Sequence, residues 1–212
     1  MRGYWFVILV FLGAYVMLSP GLPKQNTPFV KPSGLIAPPS WTDSVMASLT
    51  LDEKIAQLMM VAGYTNKDQA YINSLLKLVQ NYKVGGVIFF QGGPGRQASV
   101  TNLYQSASKI PLFIAGDYEW GLSMRLDSCQ KFPWQMTLGA IQNDSLIYLM
   151  GKEMARQFKR IGVNVSFSPV LDVNNNINNP IINARSFGEN KYNVVRKGFA
   201  YMRGLQDNGV MA

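Results

Sequence analysis

Apolar and polar positions along this chain follow two different periods. Val87–Phe90 and Ile110–Ala115 are short unbroken apolar runs and read as buried strands, whereas longer stretches with apolar residues every three or four positions read as helices. Trp41–Leu49 is a short amphipathic helix. Thr50 and Glu53 form a T-x-x-E capping box that starts a second helix carrying Ile55, Leu58 and Met59. Met59–Gly63 reads as a first strand. Lys67–Tyr82 sets Ile72, Leu75, Leu76 and Val79 on one face, and Lys83, Gly85 and Gly86 mark its end. Val87–Phe90 is the second strand, closed by the Gly92-Gly93-Pro94-Gly95 loop. A helix over Gln97–Lys109 leads into Ile110–Ala115. Asp144 caps a helix to Ile161, with Gly162 as its stop. Asn164–Val173 is the next strand. Asn190 caps a helix to about Asn208, stopped by Gly209, and Val210-Met211-Ala212 begins a further strand. Alternation of this kind predicts an α/β fold with parallel strands and right-handed crossovers. A doubly wound sheet and a (β/α)8 barrel both satisfy it.

The first forty residues follow another pattern. Met1-Arg2 is a short positive start, and Tyr4–Leu18 is an uncharged, mostly apolar run of 15 residues. That length suits the core of a signal peptide and is short for a membrane-spanning helix. No cysteine follows to support lipoprotein anchoring, and no clean A-x-A site appears, so a retained N-terminal anchor is the alternative. Ser19–Ser40 holds six of the eleven prolines and reads as an extended spacer. The expected organisation is a signal or anchor segment over 1–19, a proline-rich linker over 20–40 and the folded part over 41–212. Either fate of the leader predicts an exported protein, periplasmic or anchored with its folded part outside the cytoplasm.

Composition narrows the chemistry. The chain is 48% hydrophobic and 15% charged, which supports a packed core rather than disorder. Its net charge of +8 comes from basic residues scattered in ones and twos, such as Lys152, Arg156, Lys159 and Arg160. These read as solvated helix faces rather than a nucleic-acid surface. There is no histidine and a single cysteine, Cys129, so neither a disulfide nor a zinc site is expected. Gly92–Gly95 lacks the G-K-[ST] of a phosphate loop. No metal or organic cofactor is implied.

The segment Ile110–Leu126 carries the candidate chemistry. Its apolar run feeds directly into Asp117, Glu119, Trp120 and Arg125. In parallel α/β proteins ligands are handled at this end of a strand. Carboxylates and arginine hydrogen-bond sugar hydroxyls, and an aromatic face covers the apolar side of a sugar ring. Each residue also has a structural reading. Asp117 could bond backbone amides in a turn, Glu119 could form a salt bridge under the loop, Trp120 could plug the core, and Arg125 could pair with Glu119 or Asp127. Asp117 and Glu119, two residues apart on one loop, do not suit the catalytic carboxylates of a glycosidase, which flank a bond from opposite sides. A second motif lies in Asn164–Asn190. There a strand ends near Asp172, an asparagine-rich loop follows, and Arg185-Ser186-Phe187-Gly188 precedes a helix cap. Arg185 could equally pin the asparagine-rich segment to Asp172.

Together these motifs, with LTLDEKIAQL and KVGGVIFF upstream, resemble the N-terminal barrel domain of family-3 glycoside hydrolases from about Trp41 to Ala212. The β-N-acetylhexosaminidase branch is the most similar. The resemblance implies the N-terminal half of a (β/α)8 barrel, with about four βα units and the start of a fifth strand. A full barrel takes about 250 residues. It implies that Asp117, Arg125 and Arg185 bind sugar hydroxyls, with Glu119, Trp120 and Asp172 as secondary candidates. Many members have Gly-Gly-Arg where Trp120-Gly121-Leu122 stands here, so one loop arginine is missing. The family's aspartate nucleophile, its histidine acid/base and a sugar-binding lysine-histidine pair would all lie beyond Ala212, and a C-terminal continuation or second domain would follow. The implied function is therefore retaining hydrolysis of O-glycosyl bonds, of the β-N-acetylglucosaminidase type on cell-wall sugars, with this chain as an inactive sugar-binding part. A β-glucosidase or β-xylosidase of the same family, and a non-catalytic carbohydrate-binding remnant, are the alternatives.

Overall fold

The structure is a computed structural model and describes residues 40–212. The leader, and the linker up to residue 39, lie outside the described residues. Among the described residues no helix is long and apolar enough to cross a membrane.

The elements run α1 (Trp41–Ser48), α2 (Leu51–Ala56), β1 (Met60–Tyr64), α3 (Gln69–Lys77), β2 (Gly86–Gln91), α4 (Pro94–Ala107), β3 (Phe113–Gly116), α5 (Gln135–Gly139), α6 (Asp144–Arg160), β4 (Val165–Ser166) and α7 (Lys191–Gln206). All four strands are parallel and their order in the sheet is their order in the chain. Met60 lies opposite Gly86, Gly86 opposite Phe113, and Ala115 opposite Val165. Met211 extends the series. Its amide donates to the Asn164 carbonyl at 2.9 Å, and the Ser166 amide donates to its carbonyl at 2.8 Å. A doubly wound sheet reverses its strand order at a switch point, and this one does not. The sequential order is that of a barrel wound in one sense, with the loops that follow β1 to β4 gathered on one face.

The core lies between the sheet and its helices. Val87, Ile114 and Ala115 of the strands are fully covered, as are Ile147, Met154 and Phe158 of α6 and Tyr201 and Leu205 of α7. Helices α6 and α7 touch through glycines: a Cβ on Gly204 would fall 2.4 Å from the Tyr148 carbonyl oxygen and 2.9 Å from the Gly151 Cα. Lys197 of α7 is fully buried. Its ammonium donates to the Ile141 carbonyl and the Asp144 carboxylate, the partners a buried cation requires.

The local stop and start signals act as the sequence implies. Thr50 and Glu53 complete both halves of the capping box, Gly162 (φ 80°) follows α6, and Asn190 caps α7. Several boundaries differ. Asn143, not Asp144, caps α6, because its side chain accepts from the Ser145 amide. Pro94 opens α4, where proline's missing N–H has no cost. The helix expected over Lys67–Tyr82 is α-helical only to Lys77 and ends in one wide turn, Leu78–Tyr82, before Lys83 takes a left-handed conformation at φ 56°. The third strand begins at Phe113, and α5 is an element the hydrophobic period did not reveal. The expected strand Asn164–Val173 forms a ladder only over Val165–Ser166. Met59 is half exposed and Cys129 is partly buried.

Candidate functional site

The loop after β3 is built over a buried support. A Cβ on Gly116 would lie 2.4 Å from the Tyr118 ring, so glycine alone lets Tyr118 fold beneath the strand end. Tyr118 is fully buried with its hydroxyl 3.2 Å from the Gln97 side-chain amide, and burial pushes its phenol up to about 12. The Tyr201 hydroxyl of α7 reaches the carbonyls of Tyr118 and Glu119 at 3.3 and 3.2 Å, and Ser168 Oγ at 3.3 Å. Burial raises that phenol as well. These bonds hold the backbone between two carboxylates.

Asp117 and Glu119 each meet a different arginine. Arg125 Nη2 donates to Asp117 Oδ2 at 2.5 Å, and the second Asp117 oxygen takes no hydrogen bond from any described residue. Both side chains are about a quarter exposed, at 28% for Asp117 and 24% for Arg125. Arg125 Nε is buried and unpartnered. The Arg125 guanidinium lies 5.1 Å from the centre of the Phe90 ring at the end of β2. Phe90 in turn stacks on Tyr64 of β1, with centroids 5.5 Å apart.

Glu119 is only 3% exposed at its side chain. Arg185 holds it through Nε at 3.0 and 3.2 Å and Nη2 at 2.7 Å, and Arg185 Nη1 donates to the Ile181 carbonyl at 3.2 Å. The Glu119 hydrogen bonds, then the nearby charges of Asp172 and Asp117, raise the Arg185 guanidinium further above its ordinary value. A buried carboxylate so held is a structural anchor as well as part of the site.

The structural readings of these residues resolve as follows. Arg125 pairs with Asp117 rather than with Glu119 or Asp127, and Asp127 takes Arg96 instead, at 3.1 Å. Arg185 pins the asparagine-rich loop to Glu119 and not to Asp172. The Asp172 side chain is exposed, and its carbonyl accepts from Ser186 Oγ at 2.6 Å. Trp120 is partly buried against the core and stacks on Trp134 at 5.2 Å. Leu122, standing where the resemblance implies an arginine, is buried in the core. Phe90, Tyr64 and Trp134 were not singled out from the sequence. The doubled phenylalanine at Phe89-Phe90 is the available signal: alternate strand residues face opposite ways, so one of the two leaves the core. Phe89 is 1% exposed and Phe90 is half-buried.

The arrangement offers hydroxyl-binding groups without a pair of free carboxylates. Comparisons with known proteins place the chain in a family. The family model described as "Glycosyl hydrolase family 3 N terminal domain" matches residues 50–212, and the chain belongs to that family. It is 36% identical over 151 residues to "Beta-hexosaminidase A" of Pseudoalteromonas piscicida, covering 65% of this chain and 25% of that protein. It is 28% identical over 173 residues to "Beta-N-acetylglucosaminidase/beta-glucosidase" of Cellulomonas fimi, covering 82% of this chain and 30% of that protein. The solved family-3 β-N-acetylglucosaminidase from Paenibacillus sp. str. FPU-7 superposes with a TM-score of 0.69 at 33% identity, covering 76% of this chain and 32% of that one. The chain thus spans between a quarter and a third of the length of these relatives.

Proposed function

We propose that this chain supplies the sugar-binding part of a β-N-acetylglucosaminidase-type site, with Asp117, Arg125 and Arg185 as its principal polar groups. The observation that carries the reading is the Asp117–Arg125 pair. It sits at the C-terminal end of β3 with both side chains about a quarter exposed and with one Asp117 oxygen that takes no hydrogen bond from any described residue. Carboxylate acceptors beside arginine donors suit vicinal hydroxyls, and the names of two relatives point to N-acetylglucosaminides. Glu119, held by Arg185, keeps the loops after β3 and β4 in register around the sugar. Trp120 and Asp172 are secondary contacts.

Hydrolysis requires more than these 212 residues provide. Retaining enzymes of the usual kind place a nucleophile and an acid/base about 5–5.5 Å apart across the scissile bond. Here Asp117 and Glu119 are each engaged by an arginine, and no histidine is present to serve as acid/base. The chain alone binds sugar and does not turn it over. Incubation of the 212-residue chain with a chromogenic N-acetyl-β-glucosaminide tests this. No release above blank is expected, and robust release from a purified sample overturns it. A β-glucoside reading is favoured by the double name of the Cellulomonas fimi relative, and tighter binding of glucose than of N-acetylglucosamine would select it. The positive start and the 15-residue apolar run support export of the folded part.

A further inference from the structure

We propose that Phe90 is a positioning residue for the Arg125–Asp117 pair, and that its ring, rather than a second hydrogen bond, fixes the plane of the Arg125 guanidinium. The inference rests on the sugar-binding reading for its consequence and on geometry for its cause.

The two arginines of the site are held in different ways. Arg185 makes three bonds to Glu119 and one to the Ile181 carbonyl, so its plane is set by hydrogen bonds. Arg125 makes one, through Nη2 to Asp117, and its buried Nε has no partner. A guanidinium on a single bond is free to turn about it, and a turn would carry its remaining donors away from a ligand bound at Asp117. What opposes the turn is the Phe90 ring, whose centre lies 5.1 Å from the Arg125 Cζ. That distance is inside the range where a ring face attracts a cation, about 6 Å.

The ring is itself restrained. Tyr64 stacks on it at 5.5 Å with 20° between planes, and Tyr71 meets Tyr64 edge-on at 6.2 Å. The Tyr71 hydroxyl donates to the Ala62 carbonyl at 2.9 Å, which fixes the far end of the row to β1. The ends of β1, β2 and the loop after β3 are therefore linked as tyrosine, tyrosine, phenylalanine, arginine and carboxylate. Phe90 already carries Tyr64 and Arg125 and is not offered as a platform for sugar. Its effect on a ligand passes through Arg125.

The test compares the full chain with Phe90→Leu and Phe90→Tyr, each checked for a cooperative melt; Phe90→Met stands in if the leucine variant fails to fold. Binding of N-acetylglucosamine is measured by calorimetry, and the Arg125 Nε–Hε resonance, assigned with Arg125→Lys, by NMR. We expect about tenfold weaker binding in Phe90→Leu and near wild-type binding in Phe90→Tyr. The Arg125 resonance is expected to be displaced by the ring in wild type and Phe90→Tyr, and to lose that displacement in Phe90→Leu. Equal affinity of wild type and Phe90→Leu, or an Arg125 resonance indifferent to the loss of the ring, overturns the proposal. If wild type binds no sugar, the sugar-binding reading fails, and the resonance alone decides whether Phe90 positions Arg125.

Discussion

Arg185 grips Glu119 across 66 residues of chain with three hydrogen bonds, and so ties the loop after β4 to the loop after β3. The acid is buried and the base is about one-third exposed, at 3% and 35%. That asymmetry decides which deletion matters. Arg185→Ala strands a buried carboxylate and should cost about 2 kcal/mol, less than a fully enclosed pair because water still reaches the vacated position. Glu119→Gln leaves no buried charge and should cost less. Chemical denaturation of the two variants checks the order, and equal costs would contradict it.

Asp117 and Arg125 should behave in the opposite manner. Both are partly exposed and joined by one bond, so Asp117→Ala and Arg125→Ala should shift stability by under about 1 kcal/mol. Their effect should fall on sugar binding, with about tenfold loss or more, since charged hydrogen bonds to a ligand contribute about 1.5–3 kcal/mol each. Paired melting and titration data on each variant separate the two effects. A variant that loses stability and binding together would place the pair in the scaffold.

The close approach of α6 and α7 predicts a scaffold defect with no chemistry attached. Gly204→Val puts a branched side chain against the Tyr148 carbonyl and the Gly151 backbone. Backbone cannot move aside as a flexible side chain can. The expected loss is about 3 kcal/mol, at the upper end for overpacking, measured by denaturant titration.

Alkaline pH should unfold the domain through its buried phenols. Burial pushes Tyr104 and Tyr118 up to about 12, and also raises Tyr201. Below pH 10 these groups are protonated in both states, so stability does not depend on them. Above pH 10 the unfolded chain ionises first and binds fewer protons than the native one, so stability falls as pH rises towards 12. The slope is about 1.4 kcal/mol per pH unit for each such tyrosine. Melts between pH 9 and 12 should show this fall, shallower in Tyr118→Phe, with the share of tyrosinate absorbance that belongs to the buried phenols appearing only as the fold is lost.

Elements with local signatures were legible in the sequence, and pairings over long separations were not. The Thr50–Glu53 box, the Gly162 stop and the Asn190 cap are each set by residues within one turn. Helix α5 has five residues, too few to show a period. The stretch after Ser166 was apolar enough to read as a strand, but after the Phe167 amide, which donates to the Gly116 carbonyl at 3.0 Å, its backbone joins no ladder. Asp117 was placed correctly because a strand end is a local feature. That Glu119 would take Arg185 and leave Arg125 to Asp117 depends on how the β3 and β4 loops meet, which no window of sequence contains. Phe90 was hidden for a simpler reason: at the end of a buried strand a phenylalanine reads as core, and only the folded path of the loop after β3 brings Arg125 to its ring.

The central claim is tested most directly by titrating the folded 212-residue chain and its Asp117→Ala variant with N-acetylglucosamine in a calorimeter. Weak, saturable heat at millimolar sugar is expected in the wild type, as for a single sugar held by a few polar groups, and none in a variant that melts normally. A cooperatively folded wild type that gives no heat, or an Asp117→Ala variant that binds equally well, would contradict it.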